Sequence, residues 1–111
     1  MAKVKNNNYY IEKIKNDLNF LIRHTKNVTE EELKVNELLL DSIMFWFIQI
    51  SENVKLLSNT FKNTHNYIPW KSIIGFRNRI VHNYENVDLK IVYDVVTIDI
   101  LELIELFNEF T

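Results

Sequence analysis

The stretch Leu-Leu-Leu-Asp-Ser-Ile-Met-Phe-Trp-Phe-Ile-Gln-Ile, residues 38–50, decides the fold class. Wound as a helix, it is apolar around nearly its whole circumference, because only Asp41, Ser42 and Gln49 interrupt it. Such a helix is typical of the centre of a bundle, or of a helix that contacts both a core and a partner. It is too short to cross a bilayer, which takes roughly 20 apolar residues, so we expect no membrane span.

The composition of the rest of the chain also favours helices. The 111 residues include one glycine, one proline and no cysteine, whereas average proteins carry roughly 7% glycine and 5% proline. We therefore expect a few long helices in one domain, residues 1–111, with a single modest core. The lack of cysteine excludes disulfides and thiolate metal sites. No apolar segment follows the charges at the amino terminus, so we expect a cytoplasmic protein.

Apolar spacing and capping residues predict the helices that precede the central stretch. Thr29 followed by Glu32 is a capping box, which predicts that a helix begins there. Its apolar pattern continues to residue 61, which is long for one helix, so a break is expected near 35–37. An earlier amphipathic helix, from about residue 8 to 24, is indicated by apolar residues three and four apart: Tyr10, Ile11, Ile14, Leu18, Leu21 and Ile22.

The segment after the central stretch is polar, and we interpret residues 59–69 as a loop. Proline is tolerated in the first turn of a helix, so the next helix is expected to begin at about Pro69 or Trp70. Asp88 is predicted to cap a last helix that ends at about residue 109. Residues 91–97 are β-branched and could form a strand, but the absence of a breaker favours helix. The result is an all-α antiparallel bundle of four to five helices.

Charge is distributed unevenly along a chain whose net charge is −2. Residues 51–90 contain six bases and three acids, whereas residues 91–111 contain five acids and no base. A protein that wraps DNA without sequence preference is usually basic overall, so that class is disfavoured. A small RNA site within a locally basic groove fits the distribution. Solvated helix faces explain the charge blocks equally well when the blocks are taken alone.

The polar groups with useful chemistry are concentrated in Gly-Phe-Arg-Asn-Arg-Ile-Val-His-Asn-Tyr, residues 75–84. Cleavage of RNA requires a proton to leave the 2′-hydroxyl, a proton to reach the leaving oxygen, and stabilisation of charge on the phosphate. The reference pKa of histidine lies near neutral pH, so His82 suits the proton transfers. Arginine, here Arg77, forks onto two phosphate oxygens. Tyr84 could donate to a phosphate or stack on a base.

Helical spacing limits how these residues can meet. Arg77 and Tyr84 are seven apart and share a face, but His82 lies roughly 140° around the axis from Arg77. Convergence therefore needs a helix end, a long reach by Arg77, or a second protomer. Asn78 lies four residues before His82 and could orient the imidazole. Surplus apolar surface at residues 44–47 suggests a homodimer, with a deeply buried helix as a comparable alternative.

Residues 68–84, Ile-Pro-Trp-Lys-Ser-Ile-Ile-Gly-Phe-Arg-Asn-Arg-Ile-Val-His-Asn-Tyr, followed by Val87-Asp88, closely resemble the HepT-like toxins of the HEPN superfamily. The shared signature is an arginine, four to six residues, a histidine, one residue and a tyrosine, preceded by Pro-Trp and Arg-Asn. Residues 50–56 are similar to another helix of that family, although Ser51 and Asn53 replace its usual small residues.

The resemblance implies a HEPN-like helical homodimer with two motifs facing one cleft. It implies a metal-independent endoribonuclease without a cofactor, in which Arg77 and His82 are the catalytic pair and Asn78 gives polar support. It further implies a type VII-like toxin–antitoxin pair. The partner would be an MntA-type minimal nucleotidyltransferase antitoxin, which transfers AMP to the motif tyrosine, here Tyr84.

Two other functions stay open on the sequence. The acidic pI of about 5.9 is also compatible with a non-catalytic nucleotide- or substrate-binding, accessory subunit of a minimal nucleotidyltransferase, or with a HEPN protein that only dimerises. The chain could otherwise be a helical scaffold, in which the arginines of residues 75–84 pair with acids of the last helix.

Overall fold

A computed structural model gives the fold of residues 6–82 and 88–110, with the backbone alone for residues 80–82. Helices are the only regular secondary structure in these ranges, so the predicted all-α bundle is confirmed. They are α1 (Asn7–Thr25), α2 (Glu30–Val35), α3 (Glu37–Leu56), α4 (Asn59–Thr64), α5 (Trp70–His82), α6 (Leu89–Asp94), a π-helical segment (Val95–Asp99) and α7 (Ile100–Phe107).

Side-chain caps explain where several helices begin. The Thr29 hydroxyl accepts a hydrogen bond from the Glu32 amide at 3.2 Å, which confirms the predicted cap of α2. Asn36 accepts one from the Leu39 amide at 3.0 Å and produces the break expected near 35–37. Asp88 caps α6 in the same way. Each cap satisfies an amide that the first helical turn leaves without a backbone partner.

The prediction of a loop over residues 59–69 is wrong in its first half, which is α4. The Ser58 hydroxyl accepts a hydrogen bond from the Phe61 amide at 3.1 Å and starts this helix. The Thr64 hydroxyl donates to the Thr60 carbonyl at 2.8 Å near its end. A short polar helix shows little apolar period, so composition concealed it. The predicted start of α5 at Trp70 is confirmed.

The last helix is helical as predicted, including its β-branched part, but it contains a π turn over Val95–Asp99. The backbone stays in the right-handed helical region at Val95 and at Ile100, so α6, the π turn and α7 continue one another. The helix ends at Phe107, two residues earlier than expected. Apolar spacing predicted the continuous helix, but it did not predict the π turn, in which the backbone hydrogen bonds span five residues and not four.

The core forms where α3 packs between α1 and α5 and where α1 also contacts α7. The prediction of surplus apolar surface at residues 44–47 is partly wrong, because Met44 and Phe47 are buried within the protomer. Phe45 is exposed, with 52% of its surface accessible. No helix in the described ranges is long and apolar enough to span a membrane. The fully buried large side chains are Ile14, Leu18, Leu21, Leu33, Ile43, Met44, Ile50, Val54, Ile68, Val92 and Phe107.

Candidate functional site

Helix α5 carries the candidate site, and Trp70 fixes its first turn. The indole nitrogen of Trp70 donates to the carbonyl oxygens of Lys62 and His65, each at 3.1 Å. Its buried ring meets Phe107 edge-on, with centroids 5.7 Å apart. These contacts attach α5 to α4, to the connection that follows α4, and to α7, so the helix that presents the motif is held from several sides.

The guanidinium of Arg77 is held by two polar partners. Its Nη2 lies 2.9 Å from Oε1 of Glu52 on α3, and its Nη1 donates to Oδ1 of Asn78 at 3.2 Å. Its Nε is buried and has no hydrogen-bond partner among the described residues. Charge-assisted hydrogen bonds of this kind fix the plane and direction of the fork. Arg77 is therefore pre-positioned, with its side chain still 24% exposed.

The partner of Arg77 corrects one of the expectations. The scaffold hypothesis pairs the arginines with acids of the last helix, but Arg77 pairs with Glu52 of α3. Glu52 also lies 3.7 Å from Lys55 and is 45% exposed. An ion pair this accessible to water contributes about 0–1 kcal/mol, so an anionic ligand can compete with Glu52 for the guanidinium. Sequence spacing could not identify Glu52, because the contact joins two helices.

Asn78 is expected to orient the imidazole of His82, and among the described side chains it contacts Arg77. The backbone places His82 on α5, five residues after Arg77 and so roughly 140° around the axis. The side chain of His82 lies outside the described atoms, and Tyr84 lies outside the described residues. The convergence of Arg77, His82 and Tyr84 therefore stays a prediction.

Arg79, two residues after Arg77 on α5, is exposed. Its guanidinium carbon lies 5.6 Å from the ring centroid of Phe76, a distance at which a cation and an aromatic face attract each other. Phe76 in turn meets Phe47 edge-on at 5.0 Å. Arg79 also borders a groove of about 390 Å³ between α3, α5 and the last helix, with Asp99 and Glu102 among its lining residues.

Ser51 and Asn53, on the helix that presents Glu52, are both buried. The Ser51 hydroxyl donates to the carbonyl of Ile48, and the Asn53 amide donates to the carbonyl of Gln49, each at 3.0 Å. Each polar side chain donates its hydrogen bond to a backbone carbonyl of the same helix, so it can be buried without an unpaired polar group. Ser51 and Asn53 can therefore occupy positions at which the HepT-like toxins have small residues. The residues directly before and after Glu52 on α3 are thus both buried.

Comparisons with known proteins relate the sequence to one family. The family model described as "Ribonuclease HepT-like" matches residues 14–110. A "Putative RNase" of Caldanaerobacter subterraneus subsp. tengcongensis is 31% identical over 85% of the chain and 84% of its own length. A "Probable ribonuclease HepT" of Thermococcus cleftensis is 26% identical over 85% of the chain and 86% of its own length.

One relative is longer than this chain and is similar to it over only part of its own length. The "Gamma-glutamylcyclotransferase and putative RNase" of Methanocaldococcus jannaschii is 30% identical over 86% of this chain, which covers 43% of that protein. No solved structure gives a significant match. The family model covers nearly the whole bundle, from α1 to the residues that follow α7. The chain therefore belongs to the HepT-like ribonuclease family.

Proposed function

We propose that the chain is a metal-independent endoribonuclease in which Arg77 and His82 form the catalytic pair. The observation that carries the proposal is the fixed guanidinium of Arg77, held by Glu52 and Asn78 on the helix that also contains His82. A permanently charged fork in a set direction suits a phosphate that gains charge during reaction. Membership of a ribonuclease family supports RNA as the substrate.

The proposed reaction is an internal transesterification. The 2′-hydroxyl loses its proton and attacks the adjacent phosphorus, the bond to the 5′-oxygen breaks, and that oxygen gains a proton. His82 takes part in these proton transfers, and Arg77 stabilises the charge on the pentavalent phosphate. The products are a 2′,3′-cyclic phosphate and a 5′-hydroxyl. Water is not consumed in this step.

A homodimer would overcome the angle between Arg77 and His82 on one helix, because the partner protomer could complete the site. Leu38, Phe45 and Glu52 are seven residues apart in turn and so lie on one face of α3. Leu38 is 77% exposed and Phe45 52% exposed. Two exposed apolar residues on the face that also carries Glu52 support an interface that borders the site.

The proposed biological role is a toxin of a type VII-like toxin–antitoxin pair, regulated at Tyr84. An MntA-type nucleotidyltransferase would transfer AMP from ATP to the tyrosine oxygen and release pyrophosphate. The attached phosphate would bring negative charge and bulk next to an RNA-binding site, and would repel the substrate. Coexpression with such a partner should add one or more AMP units to the mass of the chain, and Tyr84→Phe should prevent the addition.

The activity itself is tested by incubating unmodified protein with RNA in excess EDTA. The proposal predicts cleavage to products with cyclic phosphate ends, and loss of cleavage in a folded His82→Ala variant. Full activity of His82→Ala would exclude the assigned role of that histidine. Binding of nucleotides without cleavage of any of several RNAs would favour the alternative, an accessory subunit of a nucleotidyltransferase.

A further inference from the structure

A second polar site lies beside the start of α5. A hollow of about 430 Å³ opens between α4, the connection that follows it, and the first turn of α5. None of its lining residues is an acid. Its polar lining consists of two lysines, three asparagines and a serine: Lys62, Lys71, Asn59, Asn63, Asn66 and Ser72.

The two lysines of this hollow have no counterion within the part of the chain that the structure describes. Neither the Lys62 nor the Lys71 ammonium group forms an ion pair with any carboxylate of residues 6–82 or 88–110. The sequence explains this, because residues 53–84 contain five lysines and arginines and no aspartate or glutamate. Four other lysines do pair with nearby acids: Lys15, Lys34, Lys55 and Lys90.

The hollow is held in shape by the buried indole of Trp70. Its hydrogen bond to the Lys62 carbonyl fixes the backbone that carries one lysine, and Lys71 follows Trp70 directly in the chain. Asn63 and Asn66 are exposed and line the same hollow, so their amide groups can donate to an anionic oxygen. Two lysine ammonium groups and neighbouring amide donors, on a backbone that Trp70 fixes, suit the binding of a phosphate diester.

The hollow also lies in line with the candidate catalytic site. Lys71 and Asn78 are seven residues apart on α5, so they share one face and are separated by about 10 Å along the axis. Asn78 is the residue whose side chain contacts Arg77. A stacked strand advances roughly 3.4 Å per nucleotide, so about three nucleotides would bridge the distance from Lys71 to Asn78.

We infer that the Lys62–Lys71 hollow binds backbone phosphates of the single-stranded RNA whose scissile bond lies at Arg77. The substrate strand then follows α5 from Arg77 toward its first turn. This inference rests on the proposed function for the identity of the ligand. The contacts are to the backbone, so they add affinity and set the register of the strand without selecting its sequence.

The test measures RNA binding as a function of salt concentration with a 2′-O-methylated oligonucleotide, which lacks the attacking hydroxyl. Each lysine that neutralises a phosphate contributes about 0.7 to the slope of log K against log salt on a single strand. Because this slope is negative, Lys62→Ala/Lys71→Ala should reduce its magnitude by about 1.4 relative to wild type. Lys62→Arg/Lys71→Arg should restore it, because the charge is retained.

Lys26 provides a matched control. It is exposed, it has no ion pair among the described residues, and it follows the end of α1. The start of α1 contacts the residue that caps α4, through the hydrogen bond from Asn7 to Ser58 at 3.2 Å, so Lys26 lies about 28 Å from that contact along α1. Lys26→Ala should leave the salt slope unchanged.

Cleavage kinetics separate this inference from the proposed function. With cleavable RNA, Lys62→Ala/Lys71→Ala should raise KM and leave kcat unchanged. If wild type cleaves RNA but the double variant keeps the wild-type slope and KM, the hollow is not the phosphate site and the ribonuclease proposal stands. If wild type binds RNA with the lysine-dependent slope but does not cleave it, the ribonuclease proposal fails and the hollow stands. An equal loss of slope in Lys26→Ala would also overturn the inference.

Discussion

Oε1 of Glu52 lies 2.9 Å from Nη2 of Arg77, and this contact joins α3 to α5 at the candidate site. The same guanidinium contacts Asn78 through Nη1, so two separate groups set its direction. In the proposed enzyme, Glu52 acts as a positioning residue, because it reaches the substrate only through Arg77. Its negative charge also opposes the binding of phosphate, so its hydrogen bond and its charge have different consequences.

Substitution of Glu52 separates those two consequences. Glu52→Ala removes the acceptor for Arg77, and misplacement of a binding group by about 1 Å can cost roughly 100-fold in rate, so kcat for RNA cleavage should fall by about 10- to 100-fold. Glu52→Gln keeps an oxygen acceptor and removes the charge, so it should retain more of kcat and lower KM. Single-turnover cleavage over a range of protein concentrations measures both quantities.

Lys55 is the control for Glu52, because among the described residues it is the second cation near that carboxylate, at 3.7 Å, and is exposed. Lys55→Ala should leave kcat within about twofold of wild type, as expected for loss of an exposed ion pair. A Glu52→Ala protein with the wild-type kcat would show that Arg77 does not depend on this contact.

Trp70→Phe should destabilise the fold through loss of its hydrogen bonds. The indole nitrogen donates to the part-buried carbonyls of Lys62 and His65, and only the His65 carbonyl keeps a second donor among the described residues, the Ile68 amide. Loss of the bond to Lys62 should therefore cost about 1–3 kcal/mol. Denaturant unfolding should show a fall of this size in the free energy of unfolding. Trp46→Phe is the matched control, since the Trp46 indole makes no hydrogen bond among the described residues, and an equal loss there would contradict the explanation.

Asp17 gives the stability a predictable dependence on pH. Burial raises the pKa of its carboxyl above the ordinary value of 3.8, with a smaller opposite effect from Lys13. A raised folded-state pKa adds stability below pH 3.8 that is lost as the pH rises through the folded-state value. Asp17→Asn should therefore raise the melting temperature at pH 7, and its advantage should disappear at low pH.

The matched comparison for Asp17 is Asp41→Asn, which removes a charge from an exposed position on α3. It should change the melting temperature at pH 7 by less than Asp17→Asn does. Thermal unfolding followed by circular dichroism between pH 3 and pH 7 makes the comparison. A gain for Asp17→Asn that stays constant across this range would show that burial of the carboxylate is not its cause.

Phe45→Glu should dissociate the proposed homodimer. Phe45 is 52% exposed and lies on the same face of α3 as Glu52, so a charge there would be buried without a partner in the interface. Analytical ultracentrifugation should show monomers, and RNA cleavage should fall with dissociation. Leu101→Glu, at an apolar position 46% exposed on α7, should leave the dimer intact. A Phe45→Glu protein that stays dimeric would place the interface elsewhere.

Local signals allowed the sequence to predict most of the fold. The caps at Thr29 and Asp88 and the start of α5 at Trp70 depend on neighbouring residues, so they could be predicted without tertiary information. Helix α4 was missed because its stability depends on the Ser58 cap and on packing of a mostly polar segment. The π turn over Val95–Asp99 leaves no distinct apolar period.

The site was only partly accessible from the sequence, because its decisive contact joins distant parts of the chain. The residue types of Arg77 and His82 suggested a proposal for the chemistry, but nothing local identified Glu52 as the partner of Arg77. The apolar sequence of α3 likewise did not show which face of this helix the neighbouring helices cover. Phe47 is buried and Phe45 is exposed because α3 packs between α1 and α5.

The pairing of Arg77 and His82 in catalysis is tested by the rate of RNA cleavage in excess EDTA by Arg77→Ala, His82→Ala and the double variant. Residues that act as one catalytic unit are strongly non-additive. Each single variant should therefore lose most of the single-turnover rate, and the double variant should be no slower than the slower single variant. Wild-type cleavage by either folded single variant, or fully additive losses, would contradict a catalytic unit formed by Arg77 and His82.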